Sequence, residues 1–159
     1  MRKKIVGVIG AGECDETTYE VARQTGELIA ASGYLLVCGG LGGVMEGAAR
    51  GAQKLGGETI GILPGAAKTD ANPYISIPIV TGLGHSRNIL VVQSSDCIVA
   101  ISGGFGTLSE IAVALKLKKT VIGLHTWKHI DGVAHTASPS EAIHLVKKTL
   151  SVSREYSKK

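Results

Sequence analysis

This chain has little of what marks several functional classes. It holds three cysteines in 159 residues, Cys14, Cys38 and Cys97, an odd number at wide spacing with no CxxC pair. A disulfide framework and a cysteine-based zinc or redox motif are therefore not expected. Cys38 and Cys97 border apolar runs, where a buried thiol is ordinary. Cys14 falls in a loop near the expected ligand mouth, and nothing marks it as a nucleophile. Aromatic residues make up 4%, and no basic stripe is interleaved with them, so nucleic acid is not an expected partner. No apolar run approaches the ~20 residues of a membrane span, and no membrane partner is expected. Met1-Arg2-Lys3-Lys4 is basic but runs straight into an apolar strand and a glycine-rich turn, unlike a signal peptide with an apolar core and cleavage site. The expected location is the cytoplasm. No Gly-Lys pair exists, hence no Walker A loop. Gly10-x-Gly12-x-x-Asp15 and Gly104-x-Gly106-x-x-Ser109 both lack the third glycine of the dinucleotide fingerprint. NAD binding and ATP hydrolysis are disfavoured, and no cofactor is expected.

What the chain does have is a 44% hydrophobic composition, a length suited to one domain, and 22 glycines gathered mainly at turns. Net charge is +4, part of it from Arg2, Lys3 and Lys4 at one end and Arg154, Lys158 and Lys159 at the other. Such a mild bias suits an anionic small ligand. His125, His129 and His135 share one loop, but no carboxylate or cysteine stands at ligand spacing around them. They read as an exposed polar loop, and no metal site is expected.

Short apolar runs alternate with helical periodicity. Strands are expected at 5–9, 35–37, 59–63, 75–80, 97–101 and 120–124. The fourth, interrupted by Pro78, belongs short or at an edge. Asp15 to Thr18 cap the first helix and Gly33 closes it. Val44, Met45, Ala48, Ala49, Ala52 and Leu55 line one side of the second. A helix over 85–94 buries Ile89, Leu90 and Val92. Residues 127–137 read as a loop. Ser138-Pro139-Ser140-Glu141 opens the last helix as a capping box, and the polar tail frays from about residue 151. This alternation predicts an α/β chain, a single doubly wound Rossmann-like domain over 1–159 with a mainly parallel sheet.

The glycine-rich turns that follow strands one, two and five should meet at one crevice, because ligands of such sheets bind at the carboxyl ends of the strands. The candidate binding residues are Gly10 and Gly12, then Gly39, Gly40, Gly42 and Gly43, then Gly103, Gly104, Gly106 and Thr107. The last turn, Ser102-Gly-Gly-Phe-Gly-Thr-Leu-Ser-Glu110, joins a buried strand to a helix expected over 108–117. Its free N–H groups attract an anion such as phosphate. Thr107-x-x-Glu110 also fits a capping box. The glycines favour ligand binding, because a cap needs none of them. His85 lies two residues before Arg87 and reads equally well as a helix-start residue. The helix over 108–117 is apolar on more than one face, with Val113, Ala114 and Leu117 off its sheet-facing stripe. That points to a homo-oligomer, a dimer or dimer of dimers.

These residues also carry a family resemblance. Ser102 to Glu110 resembles the PGGxGTxxE signature of the "Lonely Guy" family, often mislabelled as lysine decarboxylases. Gly39-Gly-Leu-Gly-Gly-Val-Met-Glu-Gly47 resembles its GGGxxGLMG segment, and Arg87 falls where the family has an Arg–Lys pair. The order and spacing agree over most of the chain. Ser102 replaces the signature Pro, and Asn88 replaces the Lys. Gly-His-Ser-Arg-Asn at 84–88 is similar to a short branch of Rossmann-fold nucleotide-binding proteins, which also resembles molybdenum-cofactor carriers. The resemblance implies a phosphorylated small-molecule partner, a nucleoside monophosphate or a pterin cofactor. For the enzymes of the family it implies hydrolysis of nucleoside 5′-monophosphates to base and ribose 5-phosphate. Arg87 would then orient the substrate and Glu110 would stabilise an oxocarbenium-like ribose or position water. Without turnover, the same loops suit a carrier or sensor. A decarboxylase would need a pyridoxal-linked lysine and its supporting acid, and no such constellation is visible.

Overall fold

The computed structural model describes residues 2–156, with side chains through Ser151. Seven strands, β1 (Ile5–Gly10), β2 (Leu35–Cys38), β3 (Thr59–Leu63), β4 (Ile77–Val80), β5 (Cys97–Ile101), β6 (Val121–Leu124) and β7 (Val133–Thr136), form one sheet in the order β4-β3-β2-β1-β5-β6-β7. Every pairing is parallel. The connecting helices are α1 (Glu16–Ala31), α2 (Val44–Lys54), α3 (Asn88–Ser94), α4 (Phe105–Lys116) and α5 (Pro139–Tyr156). This is the single doubly wound α/β domain expected from the alternation of strands and helices. The tail expected to fray from about residue 151 instead continues α5 through Tyr156, and residues 157–159 lie outside the described residues.

Parallel strands buried on both faces must be apolar throughout, and β5 and β6 are buried at every position. One core layer joins Val8, Cys38 and Val99 to Ala22 and Ile29 of α1, Ala48 of α2 and Val146 of α5. The opposite layer joins Ile9, Val37 and Ile98 to Val91 of α3 and Ile111 and Ala114 of α4.

Several local expectations need correction. The stretch 127–137 is not all loop, since Val133–Thr136 pairs with β6 and makes β7 the last strand. Val-Ala-His-Thr lacks the alternation of apolar and polar residues that marks a strand. The helix expected over 85–94 begins as a 3-10 turn, Gly84–Arg87, before α3. Rotated in this way, α3 buries Val91 and Val92 and leaves Ile89 exposed. Leu55 is exposed as well, because it caps α2 rather than lying within it. α4 starts at Phe105, three residues before Leu108, because Gly104 takes the extended N-cap conformation. Thr107 is therefore inside the first turn and is not the cap, which removes the capping-box reading of Thr107 and Glu110. Asp15 does cap α1, its Oδ1 accepting from Thr18 N–H at 2.8 Å. At α5 Ser138 Oγ accepts from Glu141 N–H as expected, while the Glu141 carboxylate accepts from Ala137 N–H, one residue before the cap, so the box is not reciprocal.

α1 and α2 cross so closely that a Cβ on Gly26 would lie 1.9 Å from the Ala48 carbonyl oxygen, and one on Gly51 would lie 1.9 Å from that of Arg23. Alanine in place of a helical glycine ordinarily gains up to about 1 kcal/mol. Here the sign should reverse. Gly51→Ala is expected to lose roughly 1–3 kcal/mol, the usual range for overpacking, as measured by urea unfolding.

Candidate functional site

The chain runs from β1 out to β4 and then returns to pair β5 with the other side of β1. The β1 and β5 connections leave in opposite directions at their carboxyl ends, and this opens a crevice. A cleft of ≈ 220 Å³ lies there, lined by Gly10, Gly12, Gly39, Arg87, Gly104, Gly106, Thr107 and Glu110, together with Met45, His85 and Asn88 among others. Three turns far apart in sequence thus meet, with both proposed functional side chains, at one place. Gly40, Gly42, Gly43 and Gly103 do not line it. Gly43 has φ 60, and a Cβ there would stand 2.3 Å from the Ala11 carbonyl oxygen, so it lets the β1 and β2 turns touch. Gly40 is held by Asn72, whose side-chain amide donates to the carbonyls of Gly40 and Leu41. Sequence reading did not single out Asn72. Its place before a proline in a polar loop was the available signal.

The helix ends around the cleft are not equivalent. At α1 the Asp15 carboxylate already occupies the positive end. At α2 the first N–H, of Val44, donates to Ala11 O at 2.9 Å. At α4 no side chain caps the helix, and the first bond within it runs from Leu108 N–H to Gly104 O. The N–H groups of Phe105, Gly106 and Thr107 precede that bond and have no acceptor inside the helix. A Cβ on Gly104 or Gly106 would meet nothing within 4 Å. These two glycines leave space, and an anion can reach the amides.

Arg87 ends the 3-10 turn and points inward, only 7% exposed. Gly39 makes its room: a Cβ there would lie 2.7 Å from both terminal guanidinium nitrogens. Arg87 Nη1 donates to Asn88 Oδ1, while Nε is buried without a partner. An unpaired buried donor of this kind is costly unless a ligand meets it. Burial draws the guanidinium pKa down, while Glu110 and Cys38 oppose that. Glu110, one turn into α4, is also 7% exposed. Burial pushes its carboxyl up to about 7, against the pull of Arg87. The two groups act on each other through space, Glu110 holding the guanidinium charged and Arg87 drawing the carboxyl pKa down.

The two departures from the family signature have structural consequences. Ser102 sits at φ 51 and its N–H donates to Leu124 O at 3.0 Å. Proline, fixed near φ −65° and lacking an N–H, can do neither. Asn88, which replaces the Lys, is the acceptor that orients Arg87. Cys14 is half-buried and raised in pKa, first by burial and then by Asp15 and Glu46. It lines a separate surface hollow with Tyr19 and Glu20 and not the cleft. His125, His129 and His135 line another hollow with Lys128. Among the described residues no group of three His, Cys, Asp or Glu side chains could hold a metal ion. No described helix is long and apolar enough to cross a membrane.

Fold and cleft together define a doubly wound α/β protein with a glycine-lined cleft at its strand crossover. The chain belongs to the SLOG cluster4 family, whose model matches residues 3–152. It is similar to the molybdenum cofactor binding protein of Rippkaea orientalis, with 42% identity, a TM-score of 0.90, and 94% of this chain and 99% of that one covered. The molybdenum cofactor carrier protein of Chlamydomonas reinhardtii matches at 39% identity and a TM-score of 0.88, over 94% and 99% of the two chains. A cytokinin riboside 5′-monophosphate phosphoribohydrolase of Mycobacterium tuberculosis is 32% identical over 72% of this chain and 66% of its own length. These relatives bear out the resemblance to the Lonely Guy family and to the carrier branch beside it.

The Glu110 shift predicts a pH dependence of stability. A carboxyl raised from 4.5 to about 7 in the folded state favours the protonated form. Its contribution is intact below about 4.5 and is lost as pH rises through about 7. Glu110→Gln carries no charge to bury. Its melting temperature relative to the parent should therefore climb between pH 4.5 and 7 and level off above. A difference that stays flat across that window contradicts the burial of an ionisable carboxyl.

Proposed function

We propose that this chain binds a phosphorylated small molecule in the crossover cleft and acts as a carrier of a phosphorylated pterin of the molybdenum-cofactor kind. The observation that carries the reading is the buried Arg87 guanidinium, with an unpaired Nε, set in the same cleft as the uncapped first turn of α4. The amides of residues 105–107 would take the phosphate, with the Thr107 hydroxyl as a further donor. Arg87 would supply charge-assisted bonds, the stronger kind in a dry site. Gly10, Gly12 and Gly39 would let the rest of the ligand approach the backbone. The carrier reading draws support from the full-length match to the Rippkaea and Chlamydomonas proteins.

A second reading, hydrolysis of a nucleoside 5′-monophosphate to base and ribose 5-phosphate, is favoured by Glu110. Glycosidic cleavage develops positive charge at C1′, which an ionised carboxylate near the phosphate cradle stabilises. The mycobacterial relative supports it. The proposal places the chain in the cytoplasm, consistent with three free thiols.

Native mass spectrometry of the purified protein should find a co-purifying phosphorylated pterin, and base release should be absent across a nucleotide panel. Arg87→Ala should weaken ligand binding roughly ten- to a hundredfold, the scale of lost charge-assisted bonds. Base release that rises with pH through about 7 in the parent, and is absent in Glu110→Gln, would replace the carrier reading with the hydrolase.

The chain is also proposed to form a homodimer or dimer of dimers. Ala114 faces the core and Val113 is half-buried, so neither supports this. Leu117 at the C-cap of α4 and Ile89 on the adjoining α3 do, since they stand 43% and 44% exposed on the same layer. Sedimentation velocity at micromolar concentration should show a species of at least twice the monomer mass, and a monomer would refute the assembly.

A further inference from the structure

We propose that Phe105 and Trp127 form a stacking platform beside the cleft, at the N-terminal end of α4. The site would then select a phosphorylated molecule bearing a planar aromatic heterocycle over a phosphorylated sugar alone. The inference rests on the reading that the first turn of α4 holds the ligand's phosphate.

The chain contains one Phe and one Trp. Their rings lie against each other, with centroids 5.8 Å apart and planes 36° apart. Phe105 is 82% exposed, while the other exposed large hydrophobics reach no more than 52%. It contributes almost nothing to the core, so its apolar ring is available to something else. Trp127 is built in from behind. Its Nε1 donates to the Gly104 carbonyl oxygen at 3.1 Å, and its body packs partly against the core layer of α3 and α4. The platform is therefore attached to the N-cap residue of the helix that carries the free amides.

Phe105 stands between Gly104 and Gly106, both of which line the cleft, while the Phe105 and Trp127 rings lie just outside that lining. A phosphate on the amides of 105–107 leaves the remainder of its molecule within reach of the residue that supplies the first of those amides. A glycine turn reads phosphate and nothing beyond it. A heterocycle needs an aromatic face, and base–aromatic stacking is sequence-tolerant and worth several-fold to a hundredfold in affinity. A nucleobase and a pterin share the flat aromatic chemistry that such a face recognises.

The test is calorimetric titration of the full chain with ribose 5-phosphate, AMP, GMP and a pterin monophosphate, using the parent, Phe105→Ala and Phe105→Tyr. Trp127 fluorescence and sedimentation are read on the same samples. At least one heterocyclic phosphate should bind the parent tenfold or more tighter than ribose 5-phosphate. Whichever binds best distinguishes base from pterin. Phe105→Ala should bring heterocyclic and sugar phosphates to equal affinity, and Phe105→Tyr should restore the difference. Trp127 emission should respond to the heterocycle and not to the sugar phosphate. Equal binding of all ligands by the parent, or an advantage that survives Phe105→Ala, overturns the platform and leaves the phosphate site standing. Loss of assembly in Phe105→Ala makes the ring an interface residue and overturns it too. If none of the ligands binds, the phosphate reading fails and takes the platform with it.

Discussion

The pairing of β5 with β1 is the constraint on which the rest depends. Five consecutive residues of each strand, Val6–Gly10 and Cys97–Ile101, stand opposite one another in parallel register. Right-handed crossovers carry the chain outward from β1 to β4 on one side, and only the return to β5 reverses that direction. Both strands end side by side, but the segments leaving them diverge. A gap bordered by polar backbone is the result, and no side chain of the core can fill it without blocking one of the two turns. Gly7 sits within this pairing, where a Cβ would lie 2.2 Å from Ser95 Oγ. The end of α3 thus packs on β1 closely enough to need a residue without a side chain there.

Into that gap the fold puts two charges at a cost. A guanidinium and a carboxyl, each nine-tenths buried, lose water and gain only partial compensation from each other. Asn88 occupies one nitrogen of Arg87, and Nε remains without an acceptor. A domain built only for stability would favour apolar side chains here. Retaining an unsatisfied donor and a carboxyl raised to about 7 beside an uncapped helix end stores unpaired polarity where a ligand can complete it. At α1 the Asp15 carboxylate accepts from Thr18 N–H, and at α2 the Ala11 carbonyl accepts from Val44 N–H. The α4 end has no side-chain cap.

The glycines divide along the same line. Gly26 and Gly51 let helices touch, Gly43 lets two turns touch, and Gly39 admits a guanidinium. Gly104 and Gly106 admit nothing from the protein itself. In sequence they are indistinguishable, since a missing Cβ says that something comes close without saying what.

Much of the architecture was legible from the chain alone. Apolar runs such as Cys97–Ile101 and the periodicity around Ala22 and Ile29 mark strands and helices through local chemistry, and alternation then dictates a parallel sheet. Asp15 and Ser138 announce their helices because a cap is a contact within four residues. Glu110 could be picked out from its place one turn past the glycines, whereas Arg87 was marked only by the family resemblance. The edge strand β7 was hidden, because Val-Ala-His-Thr acquires strand character only by pairing with β6. Which face of α3 is buried was likewise set by the preceding 3-10 turn, which moved Ile89 outward and Val91 inward. The start of α4 at Phe105 depended on the backbone of Gly104, and it turned a plausible capping pair into a cleft-lining pair. Local pattern determined where the chain folds into strands and helices and where its turns are open. The tertiary structure alone decided which turns meet, which glycines leave room, and that an Arg and a Glu 23 positions apart (110 − 87) share one desolvated cleft, because burial and proximity are properties of packed elements and not of sequence neighbours.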